Sequence, residues 1–210
     1  AVFQIGAVCN RSIGSAQAAV DFIHAGAAFD VSSFSHLPAA DVWLLACSDD
    51  QLQACCADLS ERGAFSHNSI VFHCSGALTA HEVLQSAKDC GAQTCSIHPI
   101  KSFANPDSAV QSFKGSFCGA EGDAAALAVL ESAFAAIGGH CFAIKPEAKT
   151  LYHAASVMAC NYLVALQEAS IQTFAQAGVA REQAMAILQP IVSETVNNIF
   201  NVGTQVALTG

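Results

Sequence analysis

The sequence predicts an α/β fold: a mostly parallel sheet covered by helices, followed by an all-α region. Short apolar runs alternate with helical patterns up to residue 145, and beyond it the strand signals stop. Two long helical patterns then fill the remainder of the 210 residues. Two domains follow, 1–145 and 146–210.

Strands are expected at residues 2–9, 42–47, 69–73, 93–97, 116–120 and 140–144, and helices between them at 15–25, 49–62, 79–90 and 123–137. Asp49 and Asp50 set carboxylates at a helix start, where free backbone N–H groups and the helix dipole favour them. Thr79 with Glu82 three residues on fits a capping box. Residues 102–115, with Asn105-Pro106-Asp107, form the longest expected loop of this half, a length often tied to function. Helical patterns at 147–177 and 181–201 are broken at Gly178-Val179.

Composition narrows the function. A net charge of −9 and only three arginines disfavour nucleic-acid binding through phosphates, so no nucleic-acid partner is expected. The apolar run at 154–166 is interrupted by Asn161 and is shorter than the roughly 20 residues that cross a bilayer, so no membrane span is expected. No basic residue precedes the apolar opening at 1–8, which argues against a signal peptide and for a cytoplasmic protein. The ten cysteines form no Cys-x-x-Cys pair and read as small buried hydrophobes in a reducing compartment. Cys95 and His98 have metal-ligand spacing but lack a second pair, so no metal is expected.

In an open parallel sheet, ligands bind beyond the carboxyl ends of the strands. The residues there are polar or small: Asn10-Arg11-Ser12, Cys47-Ser48, Ser75-Gly76 and His98-Pro99. All but His98 are candidate cofactor-binding residues. A guanidinium beside short polar side chains can hold a dianionic phosphate bidentately, as NADP requires, and no acidic residue stands here to prefer the free ribose of NAD. No Gly-x-Gly-x-x-Gly turn occurs in the sequence. On the helix that starts at 147, Lys149, His153 and Asn161 share a face. At about 100° per residue His153 lies about 40° round from Lys149, and Asn161 about another 80°. These three and His98 are the candidate catalytic residues. A serine hydrolase built on Ser75 lacks the Gly-x-Ser-x-Gly elbow and an obvious acidic partner.

Arg11-Ser12, His73-Cys-Ser-Gly-Ala77, Ser96-Ile-His-Pro-Ile-Lys-Ser-Phe103, Lys149-Thr-Leu-Tyr-His-Ala-Ala155, Asn161-Tyr162 and Ala207-Leu-Thr-Gly210 together resemble a bacterial family that joins a Rossmann-like domain to a helical domain of unknown function. That family is grouped with deazaflavin-dependent NADP reductases and is similar in plan to ketopantoate, pyrroline-carboxylate and hydroxyisobutyrate enzymes. The resemblance covers essentially the whole sequence. It implies an NADP-dependent oxidoreductase acting on a small carbonyl or imine substrate, with Lys149 or His153 giving a proton to the developing alkoxide. Asn161 would hold the substrate oxygen, and His98 would be a second acid–base group. It also implies a homodimer formed through the helical domain. Because family members begin with a glycine-rich βα unit ahead of the strand matched by 2–9, and continue past Gly210, both domains and the NADP site are expected to be incomplete here. The alternative is a non-catalytic nucleotide-binding sensor or scaffold, since fold does not fix function.

Overall fold

Residues 3–207 are described by the structure, a computed structural model; residue 2, where the first strand is expected to open, and residues 208–210 of the last motif lie outside the described residues. The chain forms two compact units, Ala1–Ala154 and Ala155–Gly210.

In the first unit, β1 (Ala7–Asn10), α1 (Ile13–Ile23) and β2 (Ala27–Asp30) make a parallel two-stranded sheet. The Ser12 hydroxyl caps α1 by accepting the Ser15 N–H, and His24 ends the helix in the left-handed region at φ 58°. No strand was expected at β2. Its four residues, Ala-Ala-Phe-Asp, offer one β-former and no alternation, and Asp30 closes it by accepting from Ser32.

The larger sheet then follows: β3 (Val42–Leu45), α2 (Asp49–Glu61), β4 (Ile70–His73), α3 (Ala80–Val83), α4 (Gln85–Asp89), β5 (Gln93–Pro99), α5 (Pro106–Gln111), β6 (Phe117–Gly122), α6 (Ala124–Ala136) and β7 (His140–Ala143). Its strands lie in sequence order. All neighbours are parallel except β5 and β6, which are antiparallel. The helix expected at 79–90 divides at Leu84, a fully buried residue at φ −110° that anchors the segment in the core. The expected loop contains α5, opened by Asn105 as its cap and Pro106 in its first turn. Leu45, Leu52, Leu59 and Val71 form one core cluster, and Cys95, Ile97, Cys118 and Leu130 form another. Each fully buried leucine or isoleucine contributes about 1.5–3 kcal/mol.

The helix α7 (Lys149–Gln176) starts in the first unit and runs into the second, which continues with α8 (Arg181–Val202) and α9 (Thr204–Ala207). Arg181 and Glu168 pair bidentately at 3.0 and 2.8 Å across the break between α7 and α8. Among the described residues, no helix is long and apolar enough to cross a membrane.

Candidate active site

One face of the larger sheet carries a polar stripe, and the two-residue period of strands explains how it arises. Ser96 and His98 alternate on β5. Across the antiparallel ladder they face Glu121 and Gly119, while His73 on β4 pairs with Ser96. The first turns of α7 lie over this stripe.

Lys149 is its anchor. It is 1% exposed, and its Nζ donates to Ser96 Oγ and, at 2.9 Å, to Glu121 Oε1. The same Glu121 oxygen accepts the Ala80 N–H at 2.9 Å, so one carboxylate ties the start of α3 to the start of α7. Burial lowers the Lys149 pKa, and Glu121 opposes that shift. Lys149 thus fastens α7 to the sheet through two bonds in the interior.

Three rings follow. Tyr152 Oη sits 2.8 Å from His98 Nδ1. The His98 and His153 rings meet edge to face at 5.6 Å. Two glycines make the room. A Cβ at Gly119 would stand 2.6 Å from Tyr152 Oη, and one at Gly76 would stand 2.8 Å from Cε1 of both His98 and His153. His153 Nδ1 is buried against Gly76 with no hydrogen-bond partner among the described residues. Burial, then the neighbouring His153 and Lys149, bring the His98 pKa down to about 4, and burial pushes Tyr152 up to about 12. Both rings are therefore neutral at pH 7.

The remaining strand-end residues divide into structural and free groups. Ser75 Oγ donates to Asp49 at 2.8 Å and accepts the N–H groups of Ala77 and Leu78, so it builds the turn after β4. His73 accepts the Ser75 N–H on Nδ1, and burial brings its pKa to about 4. The serine hydroxyl therefore bonds a carboxylate, and no histidine activates it. Pro99 closes β5 and is buried; Cys47 and Ser48 are exposed ahead of α2. Asn10 accepts the Arg11 N–H. Arg11 is exposed beside the amino end of α1, and its guanidinium makes no hydrogen bond or ion pair among the described residues. Asn161 lies in the second unit and is exposed there.

The structure therefore brings His98 and His153 together and sets Lys149 in the same face. Tyr152, Glu121, Ser96 and Gly119 belong to that face too, and sequence reasoning missed them. A signal existed for Glu121, the single charge in the apolar run Phe117-Cys-Gly-Ala-Glu121. Among the described residues, no group of three or more His, Cys, Asp or Glu could hold a metal ion.

These features define a Rossmann-like α/β protein with a C-terminal helical region. Residues 116–210 match a domain of unknown function, DUF2520. No curated protein matches the sequence. The fold is that of protein TM1727 from Thermotoga maritima, with 24% identity and a TM-score of 0.75 over 100% of this chain and 76% of that one. It is shared with BF3122 from Bacteroides fragilis, an NADP oxidoreductase by proposed assignment, at 16% identity and a TM-score of 0.77 over 99% of this chain and 75% of that one. A reductive aminase from Aspergillus terreus, solved with NADPH and ethyl-5-oxohexanoate, matches at 15% identity and a TM-score of 0.67 over 95% of this chain and 68% of that one.

Proposed function

We propose that this chain serves an NADP-dependent oxidoreductase that reduces a small carbonyl or imine. The observation that carries the reading is the cluster of His98, His153 and Tyr152, seated on Gly76 and Gly119 at the strand ends, where α/β folds hold their ligands. Bound NADPH supplies the hydride. As negative charge develops on the substrate's oxygen or nitrogen, His98 and His153 meet it, one with a proton and one with a hydrogen bond. Lys149 holds the first turn of α7 on the sheet.

The residues at the end of β1 fit the cofactor's 2′-phosphate. A free, exposed guanidinium stands beside the amino end of an 11-residue helix, where the dipole favours an anion. Asn10, Arg11 and Ser12 would hold that end, with Cys47, Ser48, Gly76 and Pro99 along the strand ends. NADPH should therefore bind better than NADH, and Arg11→Ala should erase the difference. Turnover of NADPH is then followed with a panel of oxo-acids and imines. Equal affinity for both cofactors overturns the Arg11 role; saturable binding with no oxidation across the panel favours a sensor or scaffold instead.

The second unit supports a homodimer. Met158, Tyr162 and Leu166 on α7, and Ile191 and Phe200 on α8, are each more than half exposed, while among the described residues of this unit Ile171 and Ala184 are the buried hydrophobic ones. Such helices, apolar on several faces, need a covering surface. Light scattering at micromolar concentration should give twice the chain mass of 21.7 kDa; a monomeric mass contradicts the dimer.

A further inference from the structure

We propose that Tyr152 is a positioning residue that fixes the tautomer of His98, holding its ring hydrogen on Nε2 so that His98 meets the substrate as a neutral hydrogen-bond donor. The proposal rests on His98 being one of the two acid–base groups, and it decides between them: His153 is left to supply the proton.

The hydrogen count leads to this arrangement. A neutral imidazole has one N–H and one bare nitrogen, and a phenol has one hydrogen to give. With Nδ1 and Oη 2.8 Å apart, one of the two must donate. If the phenol donates to Nδ1, the ring hydrogen sits on Nε2. In the reverse arrangement the phenol hydrogen can turn to the His98 carbonyl at 3.5 Å, the outer limit of a hydrogen bond, and Nε2 becomes a bare acceptor. Both arrangements span the same 2.8 Å, but the phenol is the stronger acid and the imidazole nitrogen the stronger base, so the bond runs from O–H to Nδ1.

Burial supports it. It keeps the phenol protonated and the imidazole neutral, and the other charged or titrating groups around His98 are His153, Lys149 and Asp49. The tyrosine oxygen has little freedom to leave. Gly119 lies directly beneath it, the His98 ring stands perpendicular to the Tyr152 ring at 5.6 Å, and the Phe142 ring packs on the other side at 6.1 Å. A neutral imidazole whose second nitrogen is engaged is a recognised way of polarising a carbonyl without spending a full charge.

Tyr152→Phe tests this, because it keeps the ring in its seat and removes only the hydroxyl. The protein is labelled with ¹⁵N-histidine, and the His98 signals are identified among the eight histidines by their loss in His98→Gln. In the native protein at pH 7, Nδ1 should resonate as a bare nitrogen and Nε2 as a protonated one. In Tyr152→Phe the two signals should move toward each other as the tautomer ratio falls by about five- to tenfold, the effect of losing one hydrogen bond. The midpoint of unfolding should change little. A native His98 protonated on Nδ1, or a Tyr152→Phe spectrum with both nitrogens unmoved, overturns the proposal. The readout needs no substrate, so a protein that fails to oxidise NADPH defeats the function proposed above while leaving the tautomer assignment standing. Where turnover is found, Tyr152→Phe should lower kcat about tenfold and leave KM for NADPH unchanged.

Discussion

Gly76→Ala is expected to abolish most NADPH turnover while leaving the protein folded. The added methyl would stand within 2.8 Å of both histidine rings, and neither ring can step aside cheaply. His98 is held from behind by Tyr152, and His153 is fixed by the helix that Lys149 fastens to the sheet. Overpacking of this kind costs roughly 1–3 kcal/mol in stability, which a domain of this size survives. Displacing a reacting group by about 1 Å can cost about 100-fold in rate, so the catalytic loss should exceed the structural one. The control is Gly14→Ala, where nothing lies within 4 Å of the new methyl. That change should leave stability equal or raised by up to about 1 kcal/mol, because alanine is the better helix former. Urea unfolding of both variants, alongside their rates, separates the two effects. A Gly76→Ala enzyme with native turnover would remove the histidine pair from the chemistry.

Much of this arrangement was legible in the sequence, and the parts that were not share a physical cause. Apolar runs longer than four residues and capped helices announced themselves, because hydrophobic period and cap chemistry are local. The four residues of β2 carry too little of either to register. The helix α5 did carry a signal, since an Asn cap followed by Pro opens helices as well as turns. The reversed direction of β6 has no local signature at all; it follows from how the chain crosses from β5. The site divides in the same way. His153 stands out as a polar residue in apolar surroundings, and His98 as a polar residue at a strand end. Tyr152, between them in motif terms, looked like an ordinary aromatic position, and only the ladder that sets Gly119 opposite His98 gives its hydroxyl a place. Lys149, His153 and Asn161 share a helix face, yet a face says nothing of what it meets: Lys149 meets a carboxylate in the interior, and Asn161 lies in the other unit.

The buried ion pair gives the largest expected effect on stability. Glu121→Ala removes the ion-pair partner of a lysine that is 1% exposed, and Ser96 is then the remaining hydrogen-bond partner of the ammonium among the described residues. Deleting one member of a buried pair costs roughly 3–5 kcal/mol, because the surviving charge must either stay desolvated or give up its proton. The Ala80 N–H also loses its acceptor, which adds to the loss. The double variant Glu121→Leu with Lys149→Met should recover most of that stability, since a well-packed apolar pair of similar volume often matches or exceeds the ions it replaces. Chemical unfolding of the native protein, the single variant and the double variant closes the comparison. If Lys149 acts only by fastening α7, the double variant should also retain turnover within about tenfold of native. A stable double variant without turnover would mean that the lysine ammonium itself takes part in the reaction, and the proton source assigned to His153 would pass to Lys149.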